Sequence, residues 1–347
     1  MDTTKADPEN VVRWRETAKM IHNQYNIVAY PTFLFFSPDG KIVHREQGYK
    51  AAASFMALAN TAMNSKSQYY TFLENYRVGK KDYSMMPDMA NEALKMKEKS
   101  LASEIAQDYI THVLLPLKDD SLYTPQHIQF MSKYLSSKNS KVFQVFYKHP
   151  EKIDAAMHRP GYAKSTIDYV ITGEEIAPKL ETALKENNEP DWSSIAEKVQ
   201  KKYTPDYAER NIIKAKVRWY RYHTDKFKTH WPEYIQYAIM DIDKYGSDTT
   251  NFLQEGNLNN IAWDTFLHSN DKTQIRTVTK WMQSLVRRSG YKDVYFMDTY
   301  ANLLYKAGQT AEALAIEEKV AAIAPQSKLY IATLDKMKTG QPTWPVQ

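Results

Sequence analysis

Residues 32–36 read Thr-Phe-Leu-Phe-Phe, an uncharged run of β-branched, aromatic and Leu side chains. Such a run predicts a strand buried on both faces. Pro38-Asp39-Gly40 follows as a turn, because proline presets φ and glycine accepts φ > 0. Residues 41–47 mix Ile42 and Val43 with charged side chains, as an outer strand does. The two strands are expected to pair as an antiparallel hairpin. Upstream, Val11, Trp14, Ala18, Ile21 and Tyr25 recur at spacings of three and four, the stripe of a helix. Downstream, residues 51–63, rich in Ala and Met, predict a second helix. The order is helix, strand, strand, helix.

From Ser67 onward the pattern is helical. Tyr69, Phe72, Leu73 and Tyr76 share one helix face, and Leu101, Ile105, Tyr109 and Val113 another, stopped near Pro116. Breaks at Gly79, Pro116, Pro125, Pro150, Pro160-Gly161, Pro190, Pro205, Pro232, Gly246, Gly256, Gly290, Gly308 and Pro325 cut the remainder into lengths suited to helical hairpins. Near the C-terminus Ala301, Ala313 and Pro325 lie twelve residues apart, with Gly308 between the first two. Small residues at such positions let two helices cross closely, and a proline closes the second helix. A weaker copy precedes it: Ala262, Phe266, Val278 and Leu285 align with Ala301, Tyr305, Leu314 and Ala321. Residues 258–325 are therefore expected to form two stacked helical hairpins.

Two resemblances follow. The segment YNIVAYPTFLFFSPDGKIVHREQGY, residues 25–49, resembles the C-terminal half of a thioredoxin fold, with Tyr25, Pro31, Thr32, Asp39, Gly40 and Gly48 at the landmark places. Residues 301–325 are similar to a tetratricopeptide repeat, with Val320 departing from the preferred Ala. The fold class implied is α+β and mostly α: a partial thioredoxin-like unit followed by an all-α domain of TPR-like helical hairpins. The expected division is residues 1–66, 67–245 and 246–347. The thioredoxin resemblance makes Pro31 a cis-proline and Ala29, Tyr30 and Pro31 a loop that pairs with an extended substrate. It implies that the intact form is a thiol–disulfide oxidoreductase. Members of that family work through a Cys-x-x-Cys pair whose thiolate is the nucleophile. The chain has no cysteine at all, so it is expected to be redox-inactive, and to begin inside a thioredoxin-like domain. The combination with a helical extension is similar to a group of bacterial envelope proteins, which implies a periplasmic or envelope location. The alternative is a non-enzymatic helical-repeat scaffold that binds a protein or peptide.

Composition narrows the remaining chemistry. The net charge of +5 is spread evenly: residues 1–66 hold eight Lys/Arg against six Asp/Glu, and the rest 38 against 35. No block is basic enough to announce nucleic acid, and none is expected as a partner. The best rival signal is KAKVRWYRYHTDKFK, residues 214–228, where Lys214, Lys216, Arg218, Arg221, Lys226 and Lys228 alternate with Trp219, Tyr220, Tyr222 and Phe227. Stacking on bases would use such residues; a helix with its aromatics packed inward gives the same pattern, and is preferred. The nine histidines show no metal-ligand spacing, and there is no phosphate loop or Ser-His-Asp motif, so no metal and no cofactor is expected. No apolar run reaches the length of a membrane span, so a transmembrane segment is not expected either.

Overall fold

The structure, a computed structural model, describes residues 9–223, 230–246 and 252–345. The chain is mostly helical with a single two-stranded sheet among the described residues. It divides into two compact units, residues 1–167 and 168–347.

The first unit opens with α1 (Glu9–Gln24), β1 (Thr32–Phe36), β2 (Ile42–Gln47) and α2 (Ala52–Met63). The strands are antiparallel, pairing Thr32 with Gln47 and Phe35 with His44, and a bulge follows Phe35 so that Phe36 faces Ile42. Gly40 has φ +81° and closes the turn, its N–H donating to the Ser37 carbonyl at 2.9 Å. Side chains alternate across the sheet. Phe33 and Phe35 meet Phe55 of α2, with ring centroids 5.1 and 6.5 Å apart, while Phe36 meets Tyr25 at 5.5 Å.

Two polar residues on β2 tie this hairpin to its neighbours. Arg45 is 3% exposed, and its Nη1 and Nη2 donate to the carbonyls of Tyr25 (2.7 Å) and Asn26 (2.9 Å), in the turn that follows α1. The adjacent His44, on the other face, accepts at Nδ1 from the N–H of Tyr69 (3.2 Å), the first residue of the next helix. An acceptor at a helix N-terminus satisfies an amide that the helix leaves unpaired, and Arg45 satisfies two carbonyls of the turn after α1. The charged half of β2 was expected at the solvent; its two central polar residues are instead buried because each has backbone groups to bond.

The strand burial also differs from expectation. β1 is half-buried on four residues and Phe36 is exposed. Trp14 is 57% exposed and Ile21 42%, so the apolar stripe of α1 is largely uncovered; the side chain of Val11 lies outside the described residues. Of the twenty large apolar side chains exposed among the described residues, ten fall between residues 12 and 63. A two-stranded sheet has too little area to cover both its faces and two helices.

The unit continues through α3 (Tyr69–Arg77), α4 (Met86–Lys95) and α5 (Lys99–Tyr109). Tyr69, Leu73 and Tyr76 are buried, as their spacing predicts. On α5 the buried face is Ala102, Ile105 and Ala106, continued by Ile110 and Leu114. It is shifted by one position from the expected Leu101–Tyr109–Val113 stripe. These alanines, and Ala90 and Ala93 of α4, are all fully buried where α4 packs on α5, and their small side chains suit a close approach of the two helices. A π-helical turn, Ile110–Leu114, ends this helix. Then come α6 (Asp119–Leu122), α7 (Pro125–Lys133), α8 (Lys141–Lys148), α9 (Pro150–Met157) and α10 (Tyr162–Ile171), the last crossing the boundary between units. Pro125 and Pro150 sit at helix starts, where the missing N–H costs nothing, and Thr124 and Ser140 supply side-chain caps.

The second unit has another π-helical turn, Thr172–Ile176, then α11 (Ala177–Glu186), α12 (Trp192–Gln200), α13 (Pro205–His223), α14 (Trp231–Tyr245), α15 (Phe252–His268), α16 (Lys272–Arg288), α17 (Val294–Lys306), α18 (Thr310–Ile323) and α19 (Lys328–Lys338). Gly256 is interior to α15 and breaks nothing. From α15 to α19 each helix packs on the next. Of the repeat positions, Ala262, Phe266, Val278, Ala301 and Ala313 are fully buried and Leu285 is buried, whereas Tyr305, Leu314 and Ala321 are half-buried; Val320, the departure from the pattern, is fully buried. Asp271 and Asp293 cap α16 and α17.

One pair in that core was not visible in the pattern. Asp298 on α17 and Glu317 on α18 are buried together, at 8% and 0% exposure. Asn302 Nδ2 donates to Asp298 Oδ1 at 3.0 Å, but neither Glu317 oxygen receives a donor from a described residue. Burial and the neighbouring Asp298 carboxylate push the Glu317 carboxyl up to about 9. A raised carboxyl costs stability once the unfolded chain has released its proton. The cost therefore starts near the ordinary value of 4.5, grows through neutral pH and levels off near 9.

Two outcomes are expected. Glu317→Gln keeps the shape and needs no charge, so it should stabilise the protein at pH 8 by on the order of 2 kcal/mol and little at pH 4; thermal melts across that range measure it, and an advantage that is flat with pH would contradict the assignment. Arg45→Met should release the carbonyls of the turn after α1 at a cost of about 3 kcal/mol. Amides of Thr32–Phe36 should then exchange roughly a hundredfold faster, with α17 and α18 unchanged.

Candidate functional site

The loop expected to face a substrate is built as follows. The Tyr30–Pro31 peptide bond is cis. The Pro31 carbonyl accepts from Gly48 N–H at 2.9 Å, and Thr32 Oγ1 donates to the Ala29 carbonyl at 2.6 Å, which anchors the loop to the hairpin. Tyr30 is 61% exposed, with its hydroxyl 3.0 Å from His22 Nδ1. Ala29, Tyr30 and Pro31 are thus together on the surface, and no cavity described below includes them.

The aromatic and basic segment at 214–228 resolves differently. Trp219 and Tyr220 are 3% and 5% exposed, packed with Trp192. Lys216 Nζ lies 4.5 Å from the centroid of Tyr237 and donates to its hydroxyl at 2.9 Å; Arg221 Nη1 donates to Tyr234 Oη at 2.7 Å. The aromatics are core, and these cations are held by tyrosines inside the protein. Tyr222 is exposed; Lys226, Phe227 and Lys228 lie outside the described residues. Beside this helix, the Arg210 guanidinium grips Asp168 with two bonds of 2.8 and 2.9 Å and Asp206 with a third of 2.7 Å. Asn211 donates to Asp168 at 2.7 Å and accepts from Thr172 at 2.9 Å. Such a satisfied network fixes α13 against the π-helical turn rather than offering free groups. Among the described residues, no group of three or more His, Asp or Glu is placed to hold a metal.

The feature with the character of a site lies in the C-terminal helices. A groove of about 520 Å³ runs between α16 and α17, reaching the start of α18. That volume falls in the usual range of ligand sites. Ile275 and Leu304 supply apolar surface, and four cations, Lys272, Arg276, Lys280 and Lys306, face one carboxylate, Glu312. Glu312 is already engaged, accepting from Tyr300 Oη at 2.9 Å, and Gln283 Nε2 donates to the same hydroxyl at 3.2 Å. Lys306 donates to the Phe266 carbonyl at 2.6 Å, and burial holds its pKa below the usual lysine value. Lys272, Arg276 and Lys280 have no described partner. They sit at i, i+4 and i+8 of one helix, so they form a row with about 6 Å between steps.

Sequence reasoning missed this groove. The signal was present as the four-residue spacing of three cations inside a single helix, but which face that row occupied depended on the packing of α17. No protein-family model matches the chain, and no curated protein matches it either.

Proposed function

We propose that this chain is a non-enzymatic helical-repeat scaffold that holds an acidic, extended polypeptide segment in the groove of α16 and α17. The observation that carries the reading is the row of unpaired cations Lys272, Arg276 and Lys280 on one wall of that groove. Alternate side chains of an extended chain point the same way and lie about 6.6 Å apart. A row of cations at about 6 Å steps therefore matches carboxylates at every second residue. Ile275 and Leu304 would take an apolar side chain between them. Stacked helical hairpins present extended binding surfaces of this kind.

The experiment is titration of the full chain with an acetylated peptide alternating Glu and Ala, against one alternating Lys and Ala. The acidic peptide is expected to bind, and binding should weaken steeply with salt because exposed charges are screened. The double variant Arg276→Glu, Lys280→Glu should lose it. Equal binding of both peptides, or unchanged binding by the double variant, would end this reading.

A second reading concerns residues 9–63. Their order of helix, hairpin and helix, with the exposed Ala29-Tyr30-Pro31 loop, supports a thioredoxin-like unit, whose intact form would carry out thiol–disulfide exchange. The chain as it stands supplies no thiolate for that step. Purified protein is expected to give no turnover of a disulfide substrate in the presence of dithiothreitol above the reagent alone. Measurable enzyme-dependent turnover would contradict it.

A further inference from the structure

A second cavity, of about 500 Å³, lies wholly within the first unit, between the β2–α2 segment and α3–α4. Leu58, Phe72 and Met89 give it an apolar lining. Two polar side chains more than nine-tenths buried also line it: His44 at 7% exposure and Tyr69 at 4%. His44 spends Nδ1 on the Tyr69 amide, so the neutral ring carries its proton on Nε2, and no described residue accepts from Nε2. Burial favours that neutral form. The Tyr69 hydroxyl is buried with no partner among the described residues. A buried hydroxyl without a partner is rare in native proteins and calls for an explanation. The mouth of the cavity is acidic. Glu46, Asp88 and Glu92 line it against one cation, Lys50. Lys50 pairs with Glu46 at 3.1 Å and Lys95 with Glu92, whereas Asp88 makes no hydrogen bond or ion pair with a described residue.

We propose that this cavity binds a small organic cation: an ammonium or guanidinium head on an apolar body, with a hydrogen-bond acceptor at its far end. The head sits between Asp88 and Glu92, which lie four residues apart on one face of α4. The body covers Leu58, Phe72 and Met89, and the acceptor takes the free His44 Nε2–H. A lysine residue within a peptide has this chemistry, with its ammonium, four methylenes and backbone carbonyl. The site shares no residue with the groove at α16–α17, so it stands or falls independently of the scaffold reading.

The test uses the full chain and Nα-acetyl-lysine methylamide as the probe, with Nα-acetyl-norleucine methylamide as the uncharged isostere. Saturable binding of the lysine compound is expected, with the His44 Nε2 resonance shifting in step. The double variant Asp88→Asn, Glu92→Gln changes only surface groups and should fold; its affinity should drop by roughly tenfold. A bulky filling variant, Ala57→Phe, should abolish binding and leave binding at the α16–α17 groove untouched. Absence of saturable binding, equal binding of norleucine compound, or full affinity in the double variant would each overturn the proposal.

Discussion

The first unit hangs on two neighbouring residues of one strand. Successive side chains of a strand point to opposite faces. Arg45 and His44 use that geometry to hold the turn that follows α1 and the helix after the hairpin: one by two carbonyls, the other by its first amide. Removing both bonds would leave a hairpin that is marginal alone and unpaired backbone groups in that turn and at the start of the next helix. Aromatic contacts to Tyr25 and Phe55 add area, but they are not directional enough to set the order of the pieces. It follows that the hairpin is a joint between two helical segments as much as a sheet.

The second unit treats buried charge in two opposite ways. Beside Arg210 the Asp168 carboxylate is well satisfied: it receives four side-chain bonds, from Arg210 twice, Asn211 and Lys214. The Asp298 and Glu317 pair instead sets two carboxyls in a buried helical interface, with the Asn302 amide donating to Asp298. The first arrangement pairs opposite charges, while burial in the second favours the protonated carboxyls. Since α17 also supplies Tyr300, Leu304 and Lys306 to the groove, the buried acidic pair shares a helix with the lining of the candidate binding surface.

Much of the architecture was legible from local pattern. The hairpin, its turn glycine, the helix that follows, and the small residues Ala262, Ala301 and Ala313 at helix crossings could all be placed, because each is decided within a few residues of itself. What could not be read was set at longer range. Trp14 and Ile21 are apolar in a helical stripe, yet exposed, because periodicity states which face is apolar and not whether anything covers it. His44 and Arg45 looked like solvent-side charges, since their partners are backbone groups that carry no sequence signature. The basic row on α16 was not singled out, since only the position of α17 makes it a wall. The family-level readings of the hairpin and the repeats rest on sequence landmarks.

The π-helical turns at Ile110–Leu114 and Thr172–Ile176 have a consequence for how the chain tolerates change in length. Each holds one residue more than an α-turn would, and one residue corresponds to about 100° of rotation around the axis. Such a turn acts as a phase adjuster, letting the helix on each side keep its own angular setting. Losing one residue there would convert it to ordinary helix and rotate α5 against its tail. The flat contact made by Ala102 and Ala106 would no longer meet α4 while Ile110 and Leu114 kept their places. For this protein, then, the count of residues in these turns carries as much structural information as their identity.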